Sequence, residues 1–176
     1  MNRNCLKGMA HVFGDNINTD LISPACYMDK SREIIAEHAM EGVDPEFSQR
    51  IMTGDFVVAG TNFGSGSSRE TAPRALKDCG VSAVIAVFFA RIFYRNCINI
   101  GLPALVCPDA EKIGDQDELI VDIENGMIHD ETSGLDLKCD AYPPNIQHII
   151  ECGGLLESMK EELNLASLQC KEQGKN

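Results

Sequence analysis

The sequence FVVAGTNFGSGSSRETAPRALKDCG, residues 56–80, combines the signals of a strand, a loop and a helix. Its first four residues, 56–59, are apolar and predict a buried strand. Residues 60–68 are rich in glycine and serine and predict a loop. A helical pattern follows over residues 71–79, and Gly80 is placed to cap its end. This order predicts a sharp turn from a strand into the start of a helix.

The loop between this strand and this helix has the composition of an anion-binding site. Gly64 and Gly66 allow backbone N–H groups to turn toward a common point. The helix start adds free N–H groups and the positive end of its dipole. Arg69 contributes a full charge and a planar fork that suits a carboxylate or a phosphate. Ser67 and Ser68 place hydroxyl groups beside that charge, so the loop predicts an anion site with groups able to act as nucleophile or base.

Other interpretations of the loop compete with this one. A dinucleotide-binding fingerprint needs a third glycine where Arg69 stands and an acidic residue about twenty positions on, where the chain has Val87 and Phe88. A Walker loop needs a terminal Gly-Lys-Ser/Thr, which this sequence lacks. Two interpretations stay open on the residues alone. One is a structural turn with capping serines, and the other is a carboxylate site built on Ser67, Ser68 and Arg69.

The composition is that of one folded, acidic domain. With 176 residues, of which 44% are hydrophobic and 24% charged, the chain is long enough for a core of its own. We expect a single domain over residues 1–166 and a polar tail over residues 167–176. The net charge of −12 argues against nucleic acid or an anionic membrane surface as the main partner. An anion site in such a chain must create its positive potential locally, which gives Arg69 added weight.

Localisation and metal content are predicted from the apolar runs and the cysteines. Residues 1–10 lack the apolar centre of a signal peptide, and no apolar run reaches the roughly eighteen residues needed to cross a bilayer. We therefore expect a cytoplasmic protein with reduced thiols and no membrane partner. No two cysteines are spaced as Cys-x-x-Cys, so the chain is expected to bind no metal of its own. The eight cysteines are Cys5, Cys26, Cys79, Cys97, Cys107, Cys139, Cys152 and Cys170.

The rest of the chain predicts an α/β fold. Strand and helix patterns alternate over residues 56–107, which predicts a parallel core with crossover helices. A short, partly alternating stretch at residues 6–13 predicts a first strand, in which the lone His11 is expected to have a structural or surface role. Residues 118–129 predict a β-hairpin with a tight turn. Further helices are predicted at residues 31–42, 44–49, 145–152 and 155–165, and a further strand at residues 135–138.

Three stretches, in order, resemble one protein family. Residues 60–73, GTNFGSGSSRETAP, resemble the small-subunit motif of the 3-isopropylmalate dehydratases, which corresponds to the swivelling C-terminal domain of aconitase. Residues 14–24, GDNINTDLISP, resemble the N-terminal motif of that family, and residues 81–105 resemble its third block. The resemblance implies the swivelling β/β/α fold of the aconitase C-terminal type. That fold has a mainly parallel central sheet, flanking helices and an added β-hairpin.

The resemblance also implies a function, a cofactor and partners. Enzymes of this family are hydro-lyases that remove and re-add water on a hydroxy diacid. The reaction implied here interconverts 3-isopropylmalate and 2-isopropylmalate in leucine biosynthesis. In this family a [4Fe–4S] cluster acts as Lewis acid and is held by cysteines of a separate large subunit. The implied partners are that cluster-bearing subunit, in a heterodimer or heterotetramer, and a small dicarboxylate or tricarboxylate substrate.

The matched motifs imply roles for single residues. By resemblance, Ser67 is the base that takes a proton from carbon. A free serine hydroxyl is too weakly acidic for this task, so its alkoxide must be stabilised by positive charge and N–H donors. Arg69 is expected to supply that charge and to hold a substrate carboxylate. Taken alone, the polar residues 18–20 are expected to cap backbone groups of their own loop. The resemblance instead implies that this segment lies beside the glycine- and serine-rich loop of residues 60–68. The implied substrate-binding residues are Thr19, Asp20, Gly66 and Ser68.

Two residues of the central motif depart from the family pattern. Ser65 stands where a cysteine is usual, and Thr71 stands where a histidine is usual. The second departure removes an imidazole from the motif, so related substrates stay open: homoaconitate, 2,3-dimethylmalate and citramalate. A function of a different class also stays open, namely a non-catalytic binding module that keeps the fold and the anion pocket.

Overall fold

A computed structural model describes the backbone of residues 5–173 and the side chains of residues 5–164. None of the helices in this part of the chain is long and apolar enough to cross a membrane. The strands are β1 (Cys5–Val12), β2 (Phe56–Ala59), β3 (Ala83–Ala86), β4 (Ala104–Val106), β5 (Glu118–Asp122), β6 (Met127–Asp130) and β7 (Leu135–Lys138). The helices are α1 (Thr19–Ile22), α2 (Arg32–Glu37), α3 (Phe47–Arg50), α4 (Thr71–Cys79), α5 (Arg91–Asn99), α6 (Pro144–Glu151) and α7 (Leu155–Gln173).

The seven described strands form one sheet in the order β4-β3-β2-β1-β5-β6-β7. β1 to β4 are parallel to one another. α4 connects β2 to β3 and α5 connects β3 to β4, which confirms the predicted alternation of strands and crossover helices. The predicted bounds of α4 are confirmed, and Gly80 ends that helix with a φ of 111°, a left-handed conformation that favours glycine.

β1 joins the two halves of the sheet. It is parallel to β2, with Ala10 opposite Phe56, and antiparallel to β5, with Cys5 opposite Asp122. β5, β6 and β7 continue the sheet as antiparallel neighbours and contain the predicted hairpin. Because β1, β2 and β3 run in the same direction, the loops that follow them leave the same edge of the sheet. Ligands of open α/β sheets bind at such carboxyl edges.

The central strands are buried on both faces, as expected for parallel strands covered by helices. Alternate residues of β2 contribute to two different apolar clusters. Val57 and Ala59 face a cluster that includes Phe63, Leu76 and Phe93. The opposite face of β2 packs in a second cluster together with residues of β5, β6 and β7; this cluster contains Phe56, Val58, Leu119, Val121, Ile128 and Leu137.

His11 is buried in β1 and has a structural partner that lies far away in the sequence. Its Nε2 is 3.0 Å from Oδ2 of Asp55. The Asp55 carboxylate also accepts the N–H groups of Met9 and Met52, each at 2.9 Å. Burial raises the pKa of Asp55, but the hydrogen bonds from His11 and the two N–H groups outweigh it and hold the pKa below its ordinary value. The pair fastens β1 to the turn that precedes β2.

Three of the predicted helices differ from their predicted bounds by more than one residue. α3 begins at Phe47, whereas the pattern predicts a start at residue 44. α2 ends at Glu37, whereas the pattern predicts a helix to residue 42. The chain leaves the helix because Met40 adopts a φ of 61° and donates its N–H to the carbonyl of Ile22 in α1 at 2.7 Å. α7 continues to Gln173, so part of the predicted tail is helical. Residues 174–176 of that tail lie outside the described residues, and the domain limit at residue 166 stays a prediction.

Candidate active site

Three loops meet at the carboxyl edge of the sheet: residues 13–18, 60–70 and 87–90. Backbone hydrogen bonds connect them along their length. The loop after β1 is joined to the loop after β2 by Asn16 N–H to Thr61 O, at 2.9 Å, and by Gly64 N–H to Ile17 O, at 2.7 Å. The loop after β3 is joined by Phe63 N–H to Phe88 O at 3.1 Å. The loop of residues 60–70, named the serine loop from here on, is therefore held from both sides.

Polar side chains reinforce the first of these junctions. Oδ1 of Asp15 accepts the N–H of Thr61 at 2.6 Å and its hydroxyl at 3.0 Å. The side-chain amide of Asn62 donates to Oδ1 of Asn16 at 3.0 Å. Both asparagines adopt left-handed backbone conformations, with φ of 58° and 60°, which asparagine tolerates better than most residues. The Gly-Asp-Asn and Gly-Thr-Asn segments thus serve to fasten the two loops together.

Gly64 lies where the serine loop crosses α5. Its φ is +77°, and a Cβ at this position would stand 2.1 Å from Cγ of Phe93. Phe93 is buried in the core, so it has little freedom to move aside. Glycine is therefore required here both for backbone conformation and for space.

We expect Gly64→Ala to lower the free energy of unfolding by about 2–5 kcal/mol, because backbone strain and overpacking add. Gly134→Ala is the matched control. Gly134 has a similar φ of +74° but nothing within 4 Å of an added Cβ, so we expect only about 1–2 kcal/mol there. Urea unfolding of both variants measures the difference. Equal losses would mean that Phe93 moves aside without cost.

The segment Asn18-Thr19-Asp20 begins α1 and lies directly behind the serine loop. Asn18 caps α1, with Oδ1 accepting the N–H groups of Asp20 and Leu21, each at 3.0 Å. Thr19 N–H donates to Ser65 O at 2.8 Å. Thr19 Oγ1 accepts the N–H of Ser67 at 2.9 Å. Thr19 is only 4% exposed, and its hydroxyl contacts the backbone of the serine loop.

Arg69 and Ser67 form the centre of the site. Nε of Arg69 donates to Oγ of Ser67 at 2.7 Å, and the N–H of Arg69 donates to the same oxygen at 3.3 Å. Nη2 of Arg69 donates to Oδ1 of Asp20 at 3.2 Å, and Nη1 contacts Sδ of Met28. The guanidinium is thus held beside the serine hydroxyl by Asp20 of α1 and by Met28. Two donors and a positive charge on one oxygen favour the anionic form of that oxygen.

Ser68 and Gly66 lie on the exposed surface of the same loop. The carbonyl of Ser68 accepts a hydrogen bond from the side-chain amide of Asn96, on α5, at 3.1 Å. Gly66 has a φ of +107°, and a Cβ there would stand 3.1 Å from Oγ1 of Thr19. The loop is therefore anchored by Thr19 on one side and by Asn96 on the other. Asn96 is not predicted as part of the site, because in the sequence it has the pattern of an ordinary polar residue on a helix surface.

The start of α4 does not use the serines as caps. Its N-cap position is Glu70, whose side chain makes no capping hydrogen bond and pairs instead with Arg74. Pro73 in the first turn lacks an N–H, which leaves fewer donors at this helix end than the sequence pattern suggests. The hydroxyl of Ser67 is engaged with Arg69. The geometry therefore gives the serines no capping role at the start of α4, and the carboxylate site stays a prediction.

The described cysteines do not assemble a site for an iron–sulfur cluster, which needs several thiolates on one centre. Within residues 5–164, the acidic, histidine and cysteine side chains that come close enough to share one metal ion are His148, Cys152 and Glu161, with a single thiol among them. Burial raises the pKa of Cys79 to about 11 and that of Cys139 to about 12, which keeps both thiols protonated. The residues described here thus do not fit such a cluster.

Comparison with known proteins agrees with the fold and with the motif. The family model for the aconitase C-terminal domain matches residues 8–110. The 3-isopropylmalate dehydratase small subunit of Caldicellulosiruptor bescii is 51% identical over 159 residues, which cover 89% of this chain and 96% of that protein. The isopropylmalate/citramalate isomerase small subunit of Methanocaldococcus jannaschii is 45% identical and covers 92% of this chain and 97% of its own length.

A solved structure gives the same result in three dimensions. The crystal structure of 3-isopropylmalate dehydratase from Methanocaldococcus jannaschii matches with a TM-score of 0.90 at 39% sequence identity, covering 94% of this chain and 99% of that chain. The chain therefore belongs to the aconitase C-terminal domain family and, within it, to the small subunits of 3-isopropylmalate dehydratase.

Proposed function

We propose that this chain is the small subunit of a two-subunit hydro-lyase that interconverts 3-isopropylmalate and 2-isopropylmalate in leucine biosynthesis. The names of its relatives support the reaction class. The observation that carries the proposal is the contact of Arg69 Nε with Ser67 Oγ, because it places a fixed cation on a partly exposed hydroxyl. Such an arrangement suits proton removal from a carbon beside a carboxylate.

In this proposal Ser67 takes the proton from the substrate carbon. The proton forms a bond to Oγ as the C–H electron pair moves toward the carbon that loses its hydroxyl. Before this step Oγ releases its own proton to solvent, which the partial exposure of Ser67 allows, and the two N–H donors of Arg69 stabilise the resulting alkoxide. The hydroxyl that leaves the neighbouring carbon takes up one proton and departs as water. Thr19 fixes the backbone N–H of Ser67 from behind, so the oxygen does not need to reorganise during the reaction.

Arg69 has a second role in binding a substrate carboxylate. Its side chain is 36% exposed, so part of the guanidinium faces solvent. Asp20, 65% exposed, holds Nη2 and orients the plane of the fork. A substrate carboxylate would meet the exposed edge of the guanidinium, where paired N–H donors bind it with fixed geometry. Gly66 and Ser68 lie on the exposed part of the loop and would contact the same carboxylate.

We propose that the [4Fe–4S] cluster lies on a large subunit, which this chain joins in a heterodimer or heterotetramer in the cytoplasm. When bound, the cluster supplies Lewis acidity toward the hydroxyl and a carboxylate of the substrate. The role of this chain would be to supply Ser67 and Arg69 to the substrate. Within the described residues, the cysteines do not form a ligand set for a [4Fe–4S] cluster, which supports placing the cluster on the large subunit.

The departure at position 65 leaves this proposal intact. Ser65 contributes its backbone carbonyl to Thr19 N–H, a contact that a cysteine at this position would make equally well. Thr71 is the first residue of α4 and is partly buried. The relative named for both isopropylmalate and citramalate makes citramalate the substrate to compare first.

The proposal is tested by co-expression with the large subunit from the same organism under anaerobic conditions. The purified complex is assayed with 3-isopropylmalate and citramalate, and the isolated chain is assayed in parallel. We expect turnover only in the complex, and higher kcat/KM for 3-isopropylmalate. Activity of the isolated chain, or stoichiometric iron and sulfide in it, would refute the division between subunits. An inactive but correctly assembled complex would favour a binding module.

The support of Ser67 by Thr19 gives a separate prediction. Thr19→Val keeps the shape of the side chain but leaves the Ser67 N–H without its acceptor, which costs about 1–3 kcal/mol. We expect kcat to fall about tenfold or more, since this loss misplaces the base. Thr19→Ser keeps the hydroxyl and is the control, with kcat near that of the wild type. Steady-state kinetics of the complex measures both, and a Thr19→Val complex with unchanged kcat would contradict the positioning role.

A further inference from the structure

A cluster of metal-ligating side chains lies between α6 and α7. His148 is on α6, Cys152 ends that helix one turn later, and Glu161 lies on α7. One ligand atom of each residue lies within 4.8 Å of those of the other two. Sγ of Cys152 is 3.6 Å from Nε2 and 3.7 Å from Nδ1 of His148, and 3.0 Å from Oε2 of Glu161. The Ser67–Arg69 site does not use these side chains.

These distances are close to the edges of a tetrahedral zinc site. With Zn–S near 2.3 Å and Zn–N near 2.0–2.1 Å, neighbouring ligand atoms of a tetrahedron stand about 3.5 Å apart. The distance between sulfur and imidazole nitrogen already has this value. The contact between sulfur and carboxylate is shorter, and a rotation of the exposed Glu161 side chain would lengthen it. An imidazole, a thiolate and a carboxylate are all common zinc ligands.

The backbone around the cluster is held in place independently of any ligand. The link between the two helices is Gly153-Gly154, and a Cβ on Gly154 would stand 2.7 Å from the carbonyl of Asn99 in α5. Gly154 N–H donates to Ile149 O at 2.9 Å, and Lys77 Nζ donates to Gly153 O at 3.1 Å. The angle between α6 and α7 is therefore set by close packing on α5, which fixes the backbone positions that carry the three side chains.

We propose that His148, Cys152 and Glu161 form a binding site for Zn²⁺ that fastens the start of α7 to α6. Three protein ligands leave a fourth tetrahedral position for water. This inference is independent of the proposed hydro-lyase activity, because it rests on different residues. The site would add a metal crosslink to a helix whose exposed side chains include Leu156, Met159 and Leu163.

The thiol proton is part of the binding reaction. The hydrogen bond to the Glu161 carboxylate, together with burial, raises the pKa of Cys152 to about 11. The thiol is thus protonated at neutral pH, and binding of Zn²⁺ replaces its proton with the metal. One proton leaves to solvent for each ion bound through the thiolate, and no oxidant or reductant is needed.

The full-length chain, reduced with a phosphine, is titrated with Zn²⁺ in competition with a chromophoric chelator, and with Co²⁺ as a spectroscopic probe. We expect one ion per chain and a thiolate-to-Co²⁺ charge-transfer band in the near ultraviolet. Cys152→Ser should abolish the band. His148→Ala and Glu161→Gln should each weaken Zn²⁺ binding at least about tenfold. Even mutation of a residue that only hydrogen-bonds to a metal ligand lowers metal affinity about 10–100-fold. At equal concentration, Zn²⁺ should raise the melting temperature of the wild type more than that of Glu161→Gln.

Matched variants exclude other ligands. Cys5→Ser removes an exposed thiol on β1, and His129→Asn removes an exposed imidazole that pairs with Asp136. Cys170→Ser removes a thiol at a position outside the described side chains, residues 5–164. All three should retain the band and the affinity for Zn²⁺. The inference is overturned by less than stoichiometric binding, by a band that survives Cys152→Ser, by a band that disappears with Cys170→Ser, or by unchanged affinity in Glu161→Gln, which alters only an exposed side chain.

Discussion

Ser67→Ala is expected to lower kcat of the assembled enzyme about 10³-fold while KM changes by less than about threefold. General base catalysis is worth about 10²–10⁴-fold, and the hydroxyl acts mainly in the transition state. The substrate carboxylate would still meet Arg69, so binding is largely kept. Steady-state kinetics of the complex with 3-isopropylmalate measures both constants.

Ser65→Ala is the matched control for this change. Both serines belong to the same loop, but Ser65 contributes its carbonyl to Thr19 and Ser67 contributes its hydroxyl to Arg69. Ser65→Ala should therefore keep kcat within about twofold. Co-purification with the large subunit checks that both variants assemble. Near-normal turnover in Ser67→Ala would remove the proposed base.

Arg69→Lys is expected to lower kcat/KM by an amount that corresponds to about 2–4 kcal/mol of lost transition-state stabilisation. This is the range for loss of one charged donor from a preorganised site. Lysine keeps the charge but has no counterpart of Nε, which makes the 2.7 Å contact with Ser67. It also lacks the planar fork for a carboxylate, so KM should rise while kcat falls.

The control for this substitution is Arg32→Lys. Arg32 is exposed and holds Asp78 on α4, away from the serine loop. Exposed ion pairs contribute about 0–1 kcal/mol, so kcat/KM should be almost unchanged. A fall in kcat of Arg69→Lys without any change in KM would leave the stabilisation of Ser67 standing but would contradict the proposed carboxylate contact.

The parts of the fold that the sequence predicts are those with local signals. β2 and α4 are found over the predicted residues because an apolar run, a glycine loop and a C-terminal glycine follow one another directly. The position of β1 between β2 and β5 is not a local property, since it depends on pairing between strands more than a hundred residues apart. The early end of α2 likewise depends on a contact of Met40 with Ile22.

The same distinction applies to the site. The contact between Ser67 and Arg69 joins residues two positions apart, and the motif suggests it. The hydrogen bond from Ser67 N–H to Thr19 spans 48 positions, so the sequence places Thr19 in the facing loop but gives no sign of its buried supporting role. Asn96 has the pattern of any polar residue on a helix surface. Its contact with Ser68 follows only from the packing of α5 against the loop.

The cluster at α6 and α7 is missed for a related reason. Cys-x-x-Cys spacing is absent from the sequence, but a histidine and a cysteine four residues apart share one face of a helix. Nothing local indicates that Glu161 completes the set, because the Gly153-Gly154 link determines how α7 returns toward α6.

If this chain supplies the base to a cluster held by another subunit, turnover requires both components, and a titration of one with the other measures that requirement. The large subunit with its intact cluster is mixed anaerobically with increasing amounts of this chain, and dehydration of 3-isopropylmalate is followed by the absorbance of the unsaturated product. We predict no turnover from either component alone, and a rise that saturates at a fixed ratio of the two. Ser67→Ala should bind at the same ratio without restoring turnover. Turnover by the large subunit alone, or full restoration by Ser67→Ala, would contradict the account.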